Sequence, residues 1–328
     1  MSATAHLHER PKSAQDLKSR PNDVVFSLKL AIYFITLGCG ILFALSALPL
    51  IKIIGVLLLG VIFAHGVELQ HQALHNQGFR SKALNEIFGI VVGLPMLVSF
   101  AAYQDSHLRH HRLLGTKENK EFFDYGDQYG ANAFRTLWSW LLRLMMPMHY
   151  VNFIKNLFLA LLLRRISGVN ESVSKAICRD HVLMLLAILA LGAASVIFRS
   201  SLILFVWVIP LFIVAAPVHA LIEMPEHYRC DMTSTDPFLN TRTITSNSFM
   251  TWLTNGNNYH VEHHMMPGLS IDRLQDLHHV IAPQIHYYHR TYREFYGALL
   301  RGQLTPRQLD QHAGPAEAPE VLSPTQSA

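Results

Sequence analysis

The chain has 328 residues, of which 50% are apolar and only 15% are charged, against about 25% charged in an average soluble domain. With a mean hydropathy of +0.22, this favours one membrane-embedded body with polar ends over two or three soluble domains. The net charge of +4 is too small and too dispersed to propose nucleic acid as a partner. Three cysteines (Cys39, Cys178, Cys230) form no CxxC pair, which excludes a disulfide framework and a four-thiolate iron–sulfur cluster within the chain.

Residues 1–27 read as a polar segment carrying Arg10, Lys12, Lys18 and Arg20. The apolar run that follows is too long for a signal-peptide core and lacks a cleavage site, so it reads as a retained span. Leu28 to Leu48 is long enough to cross a bilayer. Pro49 and Lys52 mark a turn, and a second apolar helix runs from Ile53 to His75, its polar last turns projecting beyond the hydrocarbon. A second hairpin is predicted from Ala176 to Phe198 and from Ser201 to about Ala220, with Arg199 in the turn. Two weaker stretches, Phe88 to Tyr103 and Val151 to Leu163, are short or interrupted and read as interfacial or re-entrant. The main body is residues 28–301. The tail 302–328, rich in Pro, Gln and Ala, reads as disordered.

The predicted hairpin turns hold one basic residue each, Lys52 and Arg199, whereas residues 76–175 hold twelve. The positive-inside rule then puts both termini and the central segment in the cytoplasm. Every histidine cluster falls on that side. The expected fold is an all-α integral membrane protein with four transmembrane helices in two hairpins.

Twenty histidines are the outlying number. Three clusters stand out: His71-x3-His75, His107-x2-His110-His111 and His260-x2-His263-His264. Residues three and four apart share a helix face, so each cluster aims two or three imidazoles at one point. At this histidine frequency two HxxHH motifs arise by accident roughly 0.003 times per chain, which sets the clusters apart from chance. Neutral imidazole is a good ligand for iron, zinc or copper. Eight clustered rings exceed one coordination sphere, so two ions sharing them is the economical arrangement. Structural zinc usually draws on thiolates, absent from these clusters, and redox iron with open positions for O2 is the better fit.

All-imidazole ligation calls for carboxylates that orient the rings. Glu68, Asp105, Glu223, Glu226 and Glu262 lie near the clusters, and each is as readily an ordinary solvated group. Beyond the last span, His227 is chosen as a ninth ligand, with His219 the runner-up. His149, His181, His278, His279, His286 and His289 read as packed or surface histidines.

These residues resemble the membrane fatty-acid desaturase superfamily, which includes carotenoid ketolases, carotenoid hydroxylases and sphingolipid desaturases. The resemblance spans about Leu28 to Pro283 and rests on the order of the three boxes around two hydrophobic hairpins. It rests also on Asn258-Tyr259-His260-Val-Glu-His263-His264-Met-Met-Pro267 and on Gly115-Thr116 after the second box. It implies a four-helix stem with a cytosolic cap holding a non-haem di-iron centre. Its ligands would be His71, His75, His107, His110, His111, His260, His263 and His264, with His227 supplying the single histidine after the last span. Where the family often has an acid after the first histidine of box one, this chain has Gln72.

The implied activity is O2-dependent introduction of a double bond into a lipid-linked fatty acyl chain. Its electrons come from a ferredoxin or a cytochrome b5-like protein, which the basic residues Arg80, Lys82, Lys117 and Lys120 could steer. A carotenoid hydroxylase or ketolase, or a desaturase of a specialised amino-acid-derived metabolite, are rivals within the class. An intramembrane zinc hydrolase or a metal transporter are rivals outside it; a transporter would need ionisable residues along its spans, and these are few. A chain without a fused donor domain points to a bacterial inner membrane.

Overall fold

A computed structural model describes residues 21–120, 122–123 and 136–304. The expectations for residues 1–20 and 305–328 fall outside the described residues. Within them, four helices are long and apolar enough to cross a membrane: α1 (Asp23–Ala44), α2 (Pro49–Leu74), α7 (Glu171–Ile197) and α8 (Leu204–Glu226). Between α2 and α7 lie α3 (Lys82–Gly93), α4 (Phe100–Leu113), α5 (Leu137–Met145) and α6 (Pro147–Leu161). After α8 come α9 (Pro237–Asn240), β1 (Arg242–Ile244), α10 (Ser248–Leu253), α11 (His260–Met265), α12 (Leu274–Ile281), β2 (Tyr287–His289) and α13 (Tyr292–Leu300).

Local chemistry sets the helix ends. Asn22 caps α1 by accepting from the amides of Val24 and Val25, so this helix starts at Asp23, earlier than the apolar run alone suggests. Pro49 opens α2 at its first position, where its missing N–H costs nothing. The expected turn at Pro49 and Lys52 therefore lies one step earlier, at residues 45–48, with Lys52 inside α2. α8 continues past the expected end at Ala220 to Glu226. Pro210 and Pro217 cannot donate within the helix, and the chain widens into π turns at Leu204–Val208 and Pro210–Ala215.

α2 is the axis of the bundle. It packs against α1, α3, α4 and α8. Gly60 permits the crossing with α8, since a Cβ there would lie 2.2 Å from that of Val214. At about 1.5 Å per residue its 26 residues extend beyond a hydrocarbon core of about 30 Å. Its far end carries the first histidine box.

One expectation gains detail and one needs correction. The second hairpin is joined by a short turn, with Arg199 at positive φ, but its helices do not pack chiefly on each other. α7 packs mainly on α6 and α4, while α8 packs on α2. The reason is polar: Asp180 on α7 accepts from the Ser99 hydroxyl at 2.8 Å and the Ala101 amide at 3.0 Å, fastening α7 to the start of α4. The fold is also not purely helical. β1 and β2 form a two-stranded parallel sheet, pairing Arg242 with Tyr287, Thr243 with Tyr288 and Ile244 with His289.

The run from Phe88 to Tyr103 breaks at a 3-10 turn, Leu94–Met96, and at Leu97 in the left-handed region. The flanking helices α3 and α4 meet at 99°. The run from Val151 to Leu163 lies almost wholly in α6, whose 15 residues fall short of a crossing.

Candidate metal centre

Four elements bring the histidines together. His71 lies in the last turn of α2 and His75 follows at its C-cap. His107, His110 and His111 occupy the end of α4. His227 follows the 3-10 turn that finishes α8, and His260, His263 and His264 lie on α11. The chain leaves α4 through Gly115, at φ +83, where a Cβ would stand 2.0 Å from the Ser234 carbonyl oxygen. No side chain fits there, so the loop after box two rests directly on the loop after His227.

The nine predicted ligands fall into three sets, the last two of which share His227 and together make up the second group. His71, His75, His107, His111 and His263 offer nitrogens that all lie within 4.8 Å of one another. His110, His227 and His264 form a second such set, and Glu226, His227 and His260 a third that shares His227 with it. The groups adjoin where the rings of His111 and His264 lie 4.3 Å apart. The HxxHH boxes are used in complementary fashion. On α4 the pair four apart, His107 and His111, faces the first group while His110 faces the second. On α11 the pair four apart, His260 and His264, faces the second group while His263 faces the first.

The nitrogens meet in a way that hydrogen bonding cannot satisfy. In the first group Nε2 of His107 lies 2.8 Å from Nε2 of His71 and 2.9 Å from that of His111, which is itself 3.0 Å from that of His263. A neutral ring has either one proton or one lone pair at Nε2, enough for one hydrogen bond, yet those of His107 and His111 each face two partners, so the three contacts cannot all be hydrogen bonds. In the second group the far side of three rings is occupied. Nδ1 of His110 faces Asn119 Oδ1 at 3.0 Å, that of His227 the Asn240 carbonyl at 2.9 Å, and that of His260 Asn257 Oδ1 at 3.1 Å. These oxygens accept, so the proton sits on Nδ1 and the bare Nε2 atoms converge. Nε2 of His227 is 3.2 Å from that of His110 and 3.3 Å from that of His260. Converging lone pairs fit a cation between them. Burial holds His75 at about 3, and burial with the neighbouring rings holds His260, His263 and His264 well below the usual imidazole range. These four rings are therefore neutral, the form that binds metal.

The five carboxylates have different fates. Glu226 Oε2 lies 3.1 Å from Nε2 of His260. Glu262 is buried and turned away from the cage: it accepts from Thr243 at 2.6 Å and faces Nδ1 of His278 at 2.5 Å, tying α11 to β1 and α12. Asp105 pairs with Arg109. Glu223 and Glu68 flank His219, at 3.0 and 3.9 Å. His219 itself packs against Phe123 and stays outside the three groups, so of the two candidates after the last span the structure brings in His227.

The six remaining histidines singled out from the sequence also stay outside these groups. His149 faces the Met96 carbonyl at 3.0 Å and His181 that of Ile177 at 2.8 Å. Gln72 points away from the cage. Its Oε1 accepts from Lys29 at 3.0 Å and Asn255 at 3.0 Å, beside a cleft of about 460 Å³ lined by Lys29, His65, Trp252 and Asp272.

Sequence reasoning missed Asn119, Asn240 and Asn257, which orient the rings, and Arg242. The Arg242 side chain is buried and donates to the carbonyls of Pro225 at 2.6 Å and Tyr228 at 2.7 Å, clamping the segment that carries Glu226 and His227. Asn257 could have been suspected, three residues before His260 in sequence. Arg242 leaves no local signal, because its role depends on carbonyls 14 and 17 residues away.

Comparison with known proteins bears on the same region. A family model, fatty acid desaturase, matches residues 47–296, which spans all three boxes and His227. No curated protein matches the sequence. Membership brings with it a membrane oxidoreductase of the desaturase and hydroxylase type, in keeping with four apolar helices and histidine groups suited to metal. The chain belongs to the fatty acid desaturase family.

Proposed function

We propose that the protein is an O2-dependent di-iron desaturase that introduces a double bond into a lipid-linked fatty acyl chain. The observation that carries this reading is the convergence of nine histidines, from four separate elements, into adjoining groups at the end of α2. In this reading His71, His75, His107, His111 and His263 hold one iron, and His110, His227, His260 and His264 hold the other. Bound iron supplies the oxidising power that removing hydrogen from a saturated C–H bond demands, which side-chain acid–base chemistry lacks.

The chain's own residues prepare that site. Asn119, Asn257 and the Asn240 carbonyl fix the tautomers of His110, His260 and His227, so bare nitrogens face inward. An aromatic wall adjoins the first group. Tyr103 packs 5.5 Å from His107 and 5.0 Å from Phe122, and Phe123 lies against His149 and His219. Such a wall favours an apolar chain over water at the cage. Electrons come from a ferredoxin or a cytochrome b5-like protein. The exposed Arg80, Lys82, Lys117 and Lys120 suit an acidic donor. The cage faces the cytoplasm of a bacterial inner membrane, by the excess of basic residues on that side.

The test is expression in a host whose lipids are profiled by mass spectrometry under air and under anaerobic conditions, together with metal analysis of the purified chain. New oxygen-dependent unsaturated acyl chains and about two irons per chain are expected. His110→Ala should lose metal and product together. A fully active, metal-free His110→Ala protein refutes the reading. Oxygenated carotenoids in a carotenoid-producing host, with unchanged acyl lipids, would replace the substrate assignment.

A further inference from the structure

We propose that Glu226 is a tenth metal ligand, so that the two ion positions differ in kind: one surrounded by imidazoles alone, the other completed by a carboxylate. The inference rests on the reading of the cage as a two-ion centre and concerns a residue outside the nine histidines assigned to it.

The geometry around Asn257 carries it. Its side-chain amide donates from Nδ2 to Glu226 Oε1 at 2.9 Å, and its Oδ1 faces Nδ1 of His260 at 3.1 Å. One amide thus fixes both groups. It places the single proton of His260 on Nδ1 and turns the bare Nε2 toward Glu226 Oε2, 3.1 Å away. An ionised carboxylate only accepts hydrogen bonds, and so does an unprotonated ring nitrogen. Two acceptors pressed together repel each other unless a proton or a metal ion lies between them, and one proton cannot also serve the two further ring nitrogens that meet the same Nε2. The same Nε2 is 3.3 Å from that of His227 and 3.2 Å from that of His264. Neighbouring ligands of an octahedral ion with bonds of about 2.1–2.2 Å stand about 3.0–3.1 Å apart, the spacing found here between carboxylate and ring.

Backbone placement supports the same role. Glu226 closes the 3-10 turn Met224–Glu226, and Arg242 grips the carbonyls on either side of the Glu226–His227 pair. Asn257 and Arg242 together hold the carboxylate at the cage. In the first group, by contrast, all five members are histidines. A divalent first-row ion in the second position would carry one unit less net charge than its neighbour, and the two ions would differ in affinity and in spectrum.

The experiment uses the full chain, purified in detergent, stripped of metal and reloaded anaerobically with ferrous 57Fe. Iron content, binding affinity and Mössbauer spectra are read. Wild type should bind two ions giving two distinct ferrous doublets. Glu226→Gln should keep one doublet unchanged and bind the other ion about tenfold more weakly or worse. Two ions bound by Glu226→Gln with wild-type affinity and spectrum overturn the proposal. So does a single doublet for both ions in wild type, which decides the matter even if the variant does not fold. Failure of wild type to bind any metal overturns the two-ion reading and this inference with it.

Discussion

The two histidine groups sit side by side yet are held by different means. In the second, three ring nitrogens rest on oxygens of Asn119, Asn240 and Asn257. In the first, the outer nitrogens of His71, His111 and His263 are buried with no hydrogen-bond partner. Those three rings are therefore aimed by the packing of α2, α4 and α11, while the second group is aimed by a polar scaffold. Packing fixes where a ring stands; a hydrogen bond also fixes which nitrogen is bare.

The sharpest way to break this contrast is to empty one group without the other. His107 sits at the centre of the first group, and His107→Ala should abolish turnover while iron content falls from about two to about one per chain. Simultaneous loss of both ions, read by elemental analysis, would mean the groups act as one site.

Removing the scaffold behind the second group should have a smaller effect. Arg242→Met strands the carbonyls of Pro225 and Tyr228, at roughly 1–3 kcal/mol for each buried group left unpaired. It also frees the Glu226–His227 segment, so affinity for the second ion should drop about 10–100-fold while the first ion stays. Thermal denaturation and iron titration check both parts, and unchanged iron binding would show that the clamp serves folding only.

Acid gives the mildest perturbation. Burial, with the nearby charge of Arg242, lowers His289 to about 4, whereas an unfolded histidine titrates near 6.5. Below about 6.5 the unfolded chain takes up a proton that the folded chain refuses, so this group's contribution to stability falls as pH drops toward about 4 and is complete above 6.5. Denaturation of the metal-free chain at pH 7.5 and pH 5 should show the lower stability at pH 5. Greater stability at the acid end would refute the assignment.

Much of this architecture could be read from the residues because metal ligation imposes regular spacing. His107, His110 and His111 must share a helix end for their rings to converge, and so must His260, His263 and His264. The four long apolar runs are visible for the same kind of reason, since a bilayer demands length. Their ends are not, because they depend on single atoms: the Asn22 side chain that starts α1, or the π turns that carry α8 past two prolines. The sheet was hidden by brevity. Strands of three residues, Arg242–Ile244 and Tyr287–His289, are too short to show an alternating pattern. The division of each HxxHH box between two groups was hidden too. Spacing says that rings share a face, but which neighbour each ring meets is decided by how α4 and α11 confront one another.

α2 carries a consequence of its own. It runs unbroken from Pro49 to Leu74, so the rod embedded in lipid and the rod that presents His71 are one rigid object. A bilayer too thin or too thick for the apolar length of such a rod makes it tilt. Any tilt swings its far end, and with it two imidazoles whose partners ride on other helices. Lipid thickness thereby acts as a mechanical setting on the cage, and reconstitution in bilayers of graded acyl length is the lever that turns it.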